Sequence, residues 1–164
     1  MNPLIIVMGV AGTGKSTIGK MLSDKLEIPF YDADDFHPAT NKAKMRSGQP
    51  LNDEDRAPWL EALAEELQKW QEKSGAILAC SALKRQYRAT LSNQGKLTLK
   101  WIFLRGDFDT IYDRMKARKG HFMPKELLQS QFDTLEVPET AITLDIRHTP
   151  EKMIQMALDR INSD

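Results

Sequence analysis

The chain has 164 residues, 41% of them hydrophobic, with 23 basic and 23 acidic side chains that cancel to a formal net charge of zero. That length suits one domain burying about two-thirds of its unfolded surface, and the balanced charge points to no nucleic acid or membrane as partner, so any anion must be held by a local cluster. The single cysteine, Cys80, excludes an internal disulfide and fits a buried thiol in a soluble, cytoplasmic protein; no apolar stretch approaches a membrane span, and no Cys/His group has metal-ligand spacing.

The first apolar run, Leu4 to Met8, reads as a buried strand. It leads directly into Gly9-Val10-Ala11-Gly12-Thr13-Gly14-Lys15-Ser16-Thr17, where Gly9, Gly14, Lys15 and Ser16 satisfy G-x-x-x-x-G-K-[ST]. Glycines let consecutive amides turn inward around a polyphosphate, and the lysine reaches the β- and γ-phosphates. Ser16 offers its hydroxyl to Mg²⁺, and the helix expected over Ser16 to Leu26 aims its positive end at the same anion. The run from Gly9 to Thr17 is therefore assigned to nucleotide binding. It does not fit the dinucleotide fingerprint G-x-G-x-x-G, because Thr17 stands where the third glycine belongs.

A second strand, Ile28 to Tyr31, is followed by Asp32-Ala33-Asp34-Asp35-Phe36-His37. Ligands of open α/β sheets lie beyond the carboxyl ends of strands, so these acids face the loop. Extended alternation would put Asp32 and Asp34 on one side; Asp32 is assigned to Mg²⁺ and Asp34 to the substrate hydroxyl as orienting group or base. The stretch from His37 to Leu51 follows neither helical nor strand periodicity. Together with the start of the next helix it is expected to form a substrate-binding cap, roughly residues 37–60.

The helix over Glu54 to Trp70 can be capped by Asn52 or Asp53 and carries Trp59, Leu60, Leu63, Leu67 and Trp70 on one core-facing stripe. Near its start Arg56 is a candidate for an anionic end of the substrate, or a partner for its acidic neighbours. The third strand, Ala76 to Cys80, lacks the terminal Asp of many P-loop motors. Ser81 could cap the helix over Leu83 to Leu91, where Lys84 and Arg88 share a face and form a second cationic candidate. No Asp-x-x-Gly occurs, and Asn41-Lys42-Ala43-Lys44 departs from the base-reading motif of GTPases, so ATP is favoured over GTP.

The fourth strand, Trp101 to Leu104, precedes a helix over Phe108 to Arg118. Arg114 is assigned to the nucleotide and Arg118 to the transferring phosphoryl group, with His121 a weaker substrate-side candidate. Lys119 to Gln131, broken at Gly120 and Pro124, is expected to be a lid that keeps out water. A fifth strand, Ala141 to Ile146, and a helix over Glu151 to Ile161 complete the alternation. The fold class is α/β: a single domain over 1–164, with a parallel sheet covered by helices on both faces and a lid.

These residues resemble the gluconokinases, small P-loop sugar-acid kinases. The resemblance rests on Gly9 to Thr17, Asp32 to Pro38 with Asn41, Lys44 and Met45, Gly48 to Arg56 with Pro58-Trp59-Leu60, Cys80 to Lys84 with Tyr87-Arg88, and Lys116 to Phe122. It implies a five-stranded nucleoside-monophosphate-kinase-like sheet, ATP with Mg²⁺, D-gluconate phosphorylated at its 6-hydroxyl, and often a homodimer. The implied catalytic set is Lys15, Asp34 and Arg118, with Asp34, His37, Arg56, Lys84, Arg88 and His121 facing the substrate. The alternatives are a kinase for another small polar acid and a nucleotide-gated binding protein with slow ATPase activity.

Overall fold

In the computed structural model, which describes residues 2–118 and 123–163, five strands form one parallel sheet: β1 (Leu4–Met8), β2 (Phe30–Asp32), β3 (Ala76–Ala79), β4 (Lys100–Arg105) and β5 (Ile142–Asp145). Their spatial order is β2-β3-β1-β4-β5. Leu-Ile-Ile-Val-Met and Ala-Ile-Leu-Ala can occupy the centre because every residue of β1 and β3 is buried, as a strand covered on both faces requires. The edge strand β5 instead alternates, with Ile142 and Leu144 inside and Thr143 exposed. Register runs Leu4 to Ala76 and Ile5 to Lys100, so β1 is zipped on both sides and its last residue, Met8, lies level with Phe103.

The helices are α1 (Lys15–Leu26), α2 (Ala39–Arg46), α3 (Asp53–Lys73), α4 (Arg85–Leu91), α5 (Phe108–Ala117), α6 (Lys125–Thr134) and α7 (Pro150–Asn162), with a 3-10 turn at Ala33–Phe36. Helix α3 starts with a capping box. Asn52 accepts from the Asp55 N–H at 2.8 Å while the Asp55 carboxylate accepts from the Asn52 N–H at 2.9 Å. Its stripe from Trp59 to Trp70 is buried as the spacing predicts, and Tyr31 stacks on Trp70 with ring centroids 3.9 Å apart.

Two helices, α2 and α6, stand where the sequence pattern left irregular segments. Helix α2 buries only Asn41, so it has no apolar stripe to betray it. Asn41 is instead satisfied by polar partners: its amide donates to Asp55 O at 2.8 Å and meets His37 Nδ1 at 3.2 Å. Helix α6 buries only Leu127 and Leu128, a contact too short to register as periodicity. Among the described residues no helix is long and apolar enough to cross a membrane.

Candidate active site

The phosphate loop follows β1 over the carboxyl edge of the sheet. Two positions there demand glycine: Gly9 has φ 148° and an added Cβ would stand 2.9 Å from Leu104 O, and Gly12 has φ 81° with Met115 and Ile111 of α5 equally close. The loop is tied internally by Thr13, whose hydroxyl donates to Val10 O at 2.9 Å. Lys15 Nζ donates to Gly9 O and Val10 O, each at 3.0 Å. Packing around this ammonium lowers its pKa, an effect opposed by the charges of Asp34 and Asp32. Cys80 is buried and its thiol is pushed up to about 12 by that burial, so it is the inert structural thiol expected from the sequence.

The expected alternation of Asp32 and Asp34 does not occur. The chain leaves β2 at Asp32 and turns at once into the 3-10 segment, because the Asp32 carboxylate caps it, accepting from the Asp34 N–H at 3.0 Å. The other Asp32 oxygen accepts from Ser16 Oγ at 3.0 Å. Both acids still line one cleft of about 430 Å³ together with Lys15, Arg56 and Arg118. The Asp34 side chain is 81% exposed to the open side of this cleft, yet its carboxyl pKa is raised. Surrounding protein displaces part of its hydration and the Asp32 charge adds to this, with Lys15 opposing both.

His37 stacks on Trp59 at 4.0 Å, and Trp59 Nε1 donates to Ala33 O at 2.7 Å, so α3 fastens the 3-10 turn beside the cleft. Burial, then the charges of Arg56 and Lys42, push the imidazole down to about 4. It is therefore neutral at neutral pH, with Nε2 3.9 Å from an Asp34 oxygen. The Lys15 charge thus acts on Asp34, and the Arg56 charge on His37.

The cationic candidates separate sharply. Arg56 lines the cleft, donates to the Tyr87 hydroxyl at 2.9 Å and lies 5.2 Å from the centre of its ring. The acidic neighbours that could have neutralised it turn elsewhere: Asp55 takes Lys44 at 2.7 Å, and Asp53 takes Lys84 at 3.1 Å and the Tyr87 hydroxyl. Lys84 and Arg88 are not among the cleft-lining residues. Lys84 is ion-paired to Asp53, and the Arg88 guanidinium donates to Ala82 O, Leu83 O and Glu136 O at 2.7, 3.2 and 2.9 Å. Ser81 is not the cap of α4 either. That helix begins at Arg85, whose N–H donates to Glu136 Oε1 at 2.7 Å, a partner 51 residues away that no local pattern could announce.

Tyr87 and Asp53, which orient Arg56 and neutralise Lys84, drew no assignment from the sequence because their value lies in pairs 34 residues apart. Arg118 lines the cleft at the end of α5; Arg114, one turn earlier, donates to Ile146 O at 2.7 Å beyond β5. Met123, Pro124 and Leu127 close the cleft on the lid side. His121 and residues 119–122 of the expected lid lie outside the described residues.

A Ser hydroxyl and a carboxylate 3.0 Å apart beside a phosphate loop fit Mg²⁺, which takes few protein ligands and shares phosphate oxygens and water. Among the described residues no group of three or more His, Cys, Asp or Glu is placed to hold a metal ion.

The shikimate kinase family model matches residues 11–150. The chain is 43% identical to a probable gluconokinase of Mus musculus, covering 96% of this chain and 90% of that protein. It is 41% identical to the thermoresistant gluconokinase of Escherichia coli K12, covering 96% and 93%. The crystal structure of a gluconokinase from Sinorhizobium meliloti 1021 superposes with a TM-score of 0.90 at 38% identity, covering 98% of this chain and 92% of that one. With a phosphate loop, two acids and an arginine on one cleft, and relatives that match over nearly their whole length, the chain belongs to the gluconokinase family of P-loop kinases.

Proposed function

We propose that this chain transfers the γ-phosphoryl group of MgATP to the 6-hydroxyl of D-gluconate, giving 6-phospho-D-gluconate and ADP. The observation that carries the acceptor side is Arg56: a cation on the cleft wall, held by a neutral phenol and its ring, with no ion-paired carboxylate among the described residues. Such a group is oriented but not neutralised, which suits the carboxylate of a sugar acid. On the phosphate-loop side of the same cleft, Asp34 stands with Lys15, where a primary hydroxyl would meet the γ-phosphate.

Lys15 and the loop amides bind and orient the phosphates, and Arg118 adds positive charge where the transferred group carries it. Ser16 and Asp32 would hold Mg²⁺, which when bound neutralises phosphate charge. Asp34 orients the acceptor hydroxyl and takes its proton as the bond from the acceptor oxygen to phosphorus forms and the bond from phosphorus to the departing ADP oxygen breaks. Neutral His37, braced by Trp59 and Asn41, presents a hydrogen-bonding edge to the acceptor without adding charge. Residues 37–60 act as the cap and 119–131 as the lid, within one domain that works in the cytoplasm as a homodimer.

The test is ADP release coupled to acceptor, measured across D-gluconate, shikimate and nucleoside monophosphates. Strong release with D-gluconate alone is expected. Release independent of any acceptor would replace transfer by hydrolysis, and stronger release with another acid would replace the acceptor.

A further inference from the structure

The peptide unit joining Val10 to Ala11 is held from both sides. Its carbonyl accepts from Lys15 Nζ at 3.0 Å and from the Thr13 hydroxyl at 2.9 Å, which uses both lone pairs. Its N–H donates to Gln131 Oε1 at 2.7 Å. Gln131 stands on α6, which Leu127 and Leu128 dock onto the protein body, and it lines the cleft with Ser130. Among the described residues it makes the only side-chain hydrogen bond between α6 and the phosphate loop.

A peptide unit is planar and turns as one body. Fixing the direction of its N–H fixes the direction of its C=O, so a rotation that released Gln131 would also carry the Val10 oxygen away from the lysine. Thr13 cannot hold the unit alone, because a hydroxyl rotates to follow its acceptor, whereas the Gln131 amide is carried by a packed helix. The helix that leaves the lid segment therefore has a mechanical connection, through one side chain and one peptide, to the lysine of the loop.

We propose that Gln131 is a positioning residue: by gripping the Val10–Ala11 peptide it sets where the Lys15 ammonium stands, and so couples the placement of α6 to the grip on the nucleotide phosphates. This rests on the reading of Lys15 as a phosphate ligand.

The experiment is a double-mutant cycle on nucleotide affinity, read by titration calorimetry with MgATP, together with steady-state kinetics and a thermal midpoint to verify folding. Gln131→Met keeps the side-chain length and removes the acceptor. It should weaken MgATP and lower kcat each about tenfold, leave the D-gluconate KM within about twofold, and cost less than about twofold in affinity in a Lys15→Met background. Gln131→Glu keeps an oxygen for the Ala11 N–H. It should restore kcat to within about threefold at saturating MgATP, the condition that offsets its added negative charge. An equal loss in both backgrounds would make Gln131 a direct nucleotide contact and overturn the proposal. So would a Gln131→Met enzyme with normal affinity and kcat, or a Gln131→Glu enzyme as slow as Gln131→Met. If Lys15→Met alone left MgATP affinity intact, the phosphate-ligand reading would fail first, and the proposal with it.

Discussion

The two walls of the cleft are built by different means. The phosphate-loop wall is continuous in sequence from Gly9 to Thr17, and its shape comes from backbone: glycines at positive φ and a helix that starts at Lys15. The cap wall is braced by side chains, Asn41 on the Asp55 carbonyl, Lys44 on the Asp55 carboxylate, Arg56 on Tyr87 and Tyr87 on Asp53, separated by 11 to 34 positions. A wall made of backbone binds what all nucleotides share. A wall made of side chains can be retuned one residue at a time, so it is the place to choose an acceptor.

Asp34 sits where the walls meet, and its loss should have the largest effect on turnover. Asp34→Asn is expected to lower kcat by about 10²–10⁴-fold while the MgATP KM stays within a few-fold. Because crowding and the Asp32 charge raise its pKa, the base is lost at a higher pH than for an ordinary carboxylate, and kcat/KM should rise with pH through that elevated value. Near-normal turnover in Asp34→Asn would leave the cap wall a passive surface.

His37 links the cap to stability. Its pKa is about 4 in the folded protein against 6.5 for the ordinary imidazole, so on acidification the unfolded chain takes up the proton first. Its contribution is complete above pH 6.5 and is lost progressively between 6.5 and 4, by at most about 3 kcal/mol. Denaturant titrations across that window should show this slope, and His37→Phe, which keeps an aromatic ring against Trp59, should flatten it. A variant as acid-sensitive as the parent would assign the slope to other groups.

The same contrast explains how much was readable beforehand. The strands, the loop and the long helix α3 announce themselves through local spacing, because apolar periodicity and glycine chemistry act over a few residues. Asp32 and Asp34 both line the cleft, but not through extended alternation, since the Asp32 cap bends the chain where alternation needs it straight. Helix α2 was invisible because it buries an asparagine. Among the cations, Arg56, Lys84 and Arg88 look equivalent in sequence; only the fold shows that Asp53 neutralises one and three carbonyls absorb another. Long-range pairing leaves no periodic trace, so the pairs that brace Arg56 are what local spacing describes least.

Tyr87→Phe tests the orientation of Arg56 more gently. The ring beneath the guanidinium remains, but the hydroxyl that joins Arg56 to Asp53 is lost. Without it Arg56 has freer rotamers while Asp53 keeps its ion pair with Lys84, so the D-gluconate KM should rise about tenfold, with the MgATP KM within about twofold. Equal increases in both would mean that Tyr87 supports the whole cleft and not the acceptor end.

Arg88 should matter least to turnover, against the expectation that its position beside Lys84 raises. Its guanidinium is satisfied by Ala82 O, Leu83 O and Glu136 O, which fasten the loop after β3 to the segment entering β5. Arg88→Ala would take the donor from Ala82 O and Glu136 O while Leu83 O keeps the Glu136 N–H at 2.8 Å, at about 1–2 kcal/mol in unfolding free energy. Both KM values should nevertheless stay within about threefold, because the substitution removes a brace and not a contact. A selective rise in the D-gluconate KM would show that the guanidinium leaves its carbonyls when acceptor binds, and would move Arg88 onto the cap wall beside Arg56. The comparison of Arg88→Ala with Tyr87→Phe therefore locates the boundary of the acceptor site, since the two residues are neighbours on α4 with opposite predicted effects.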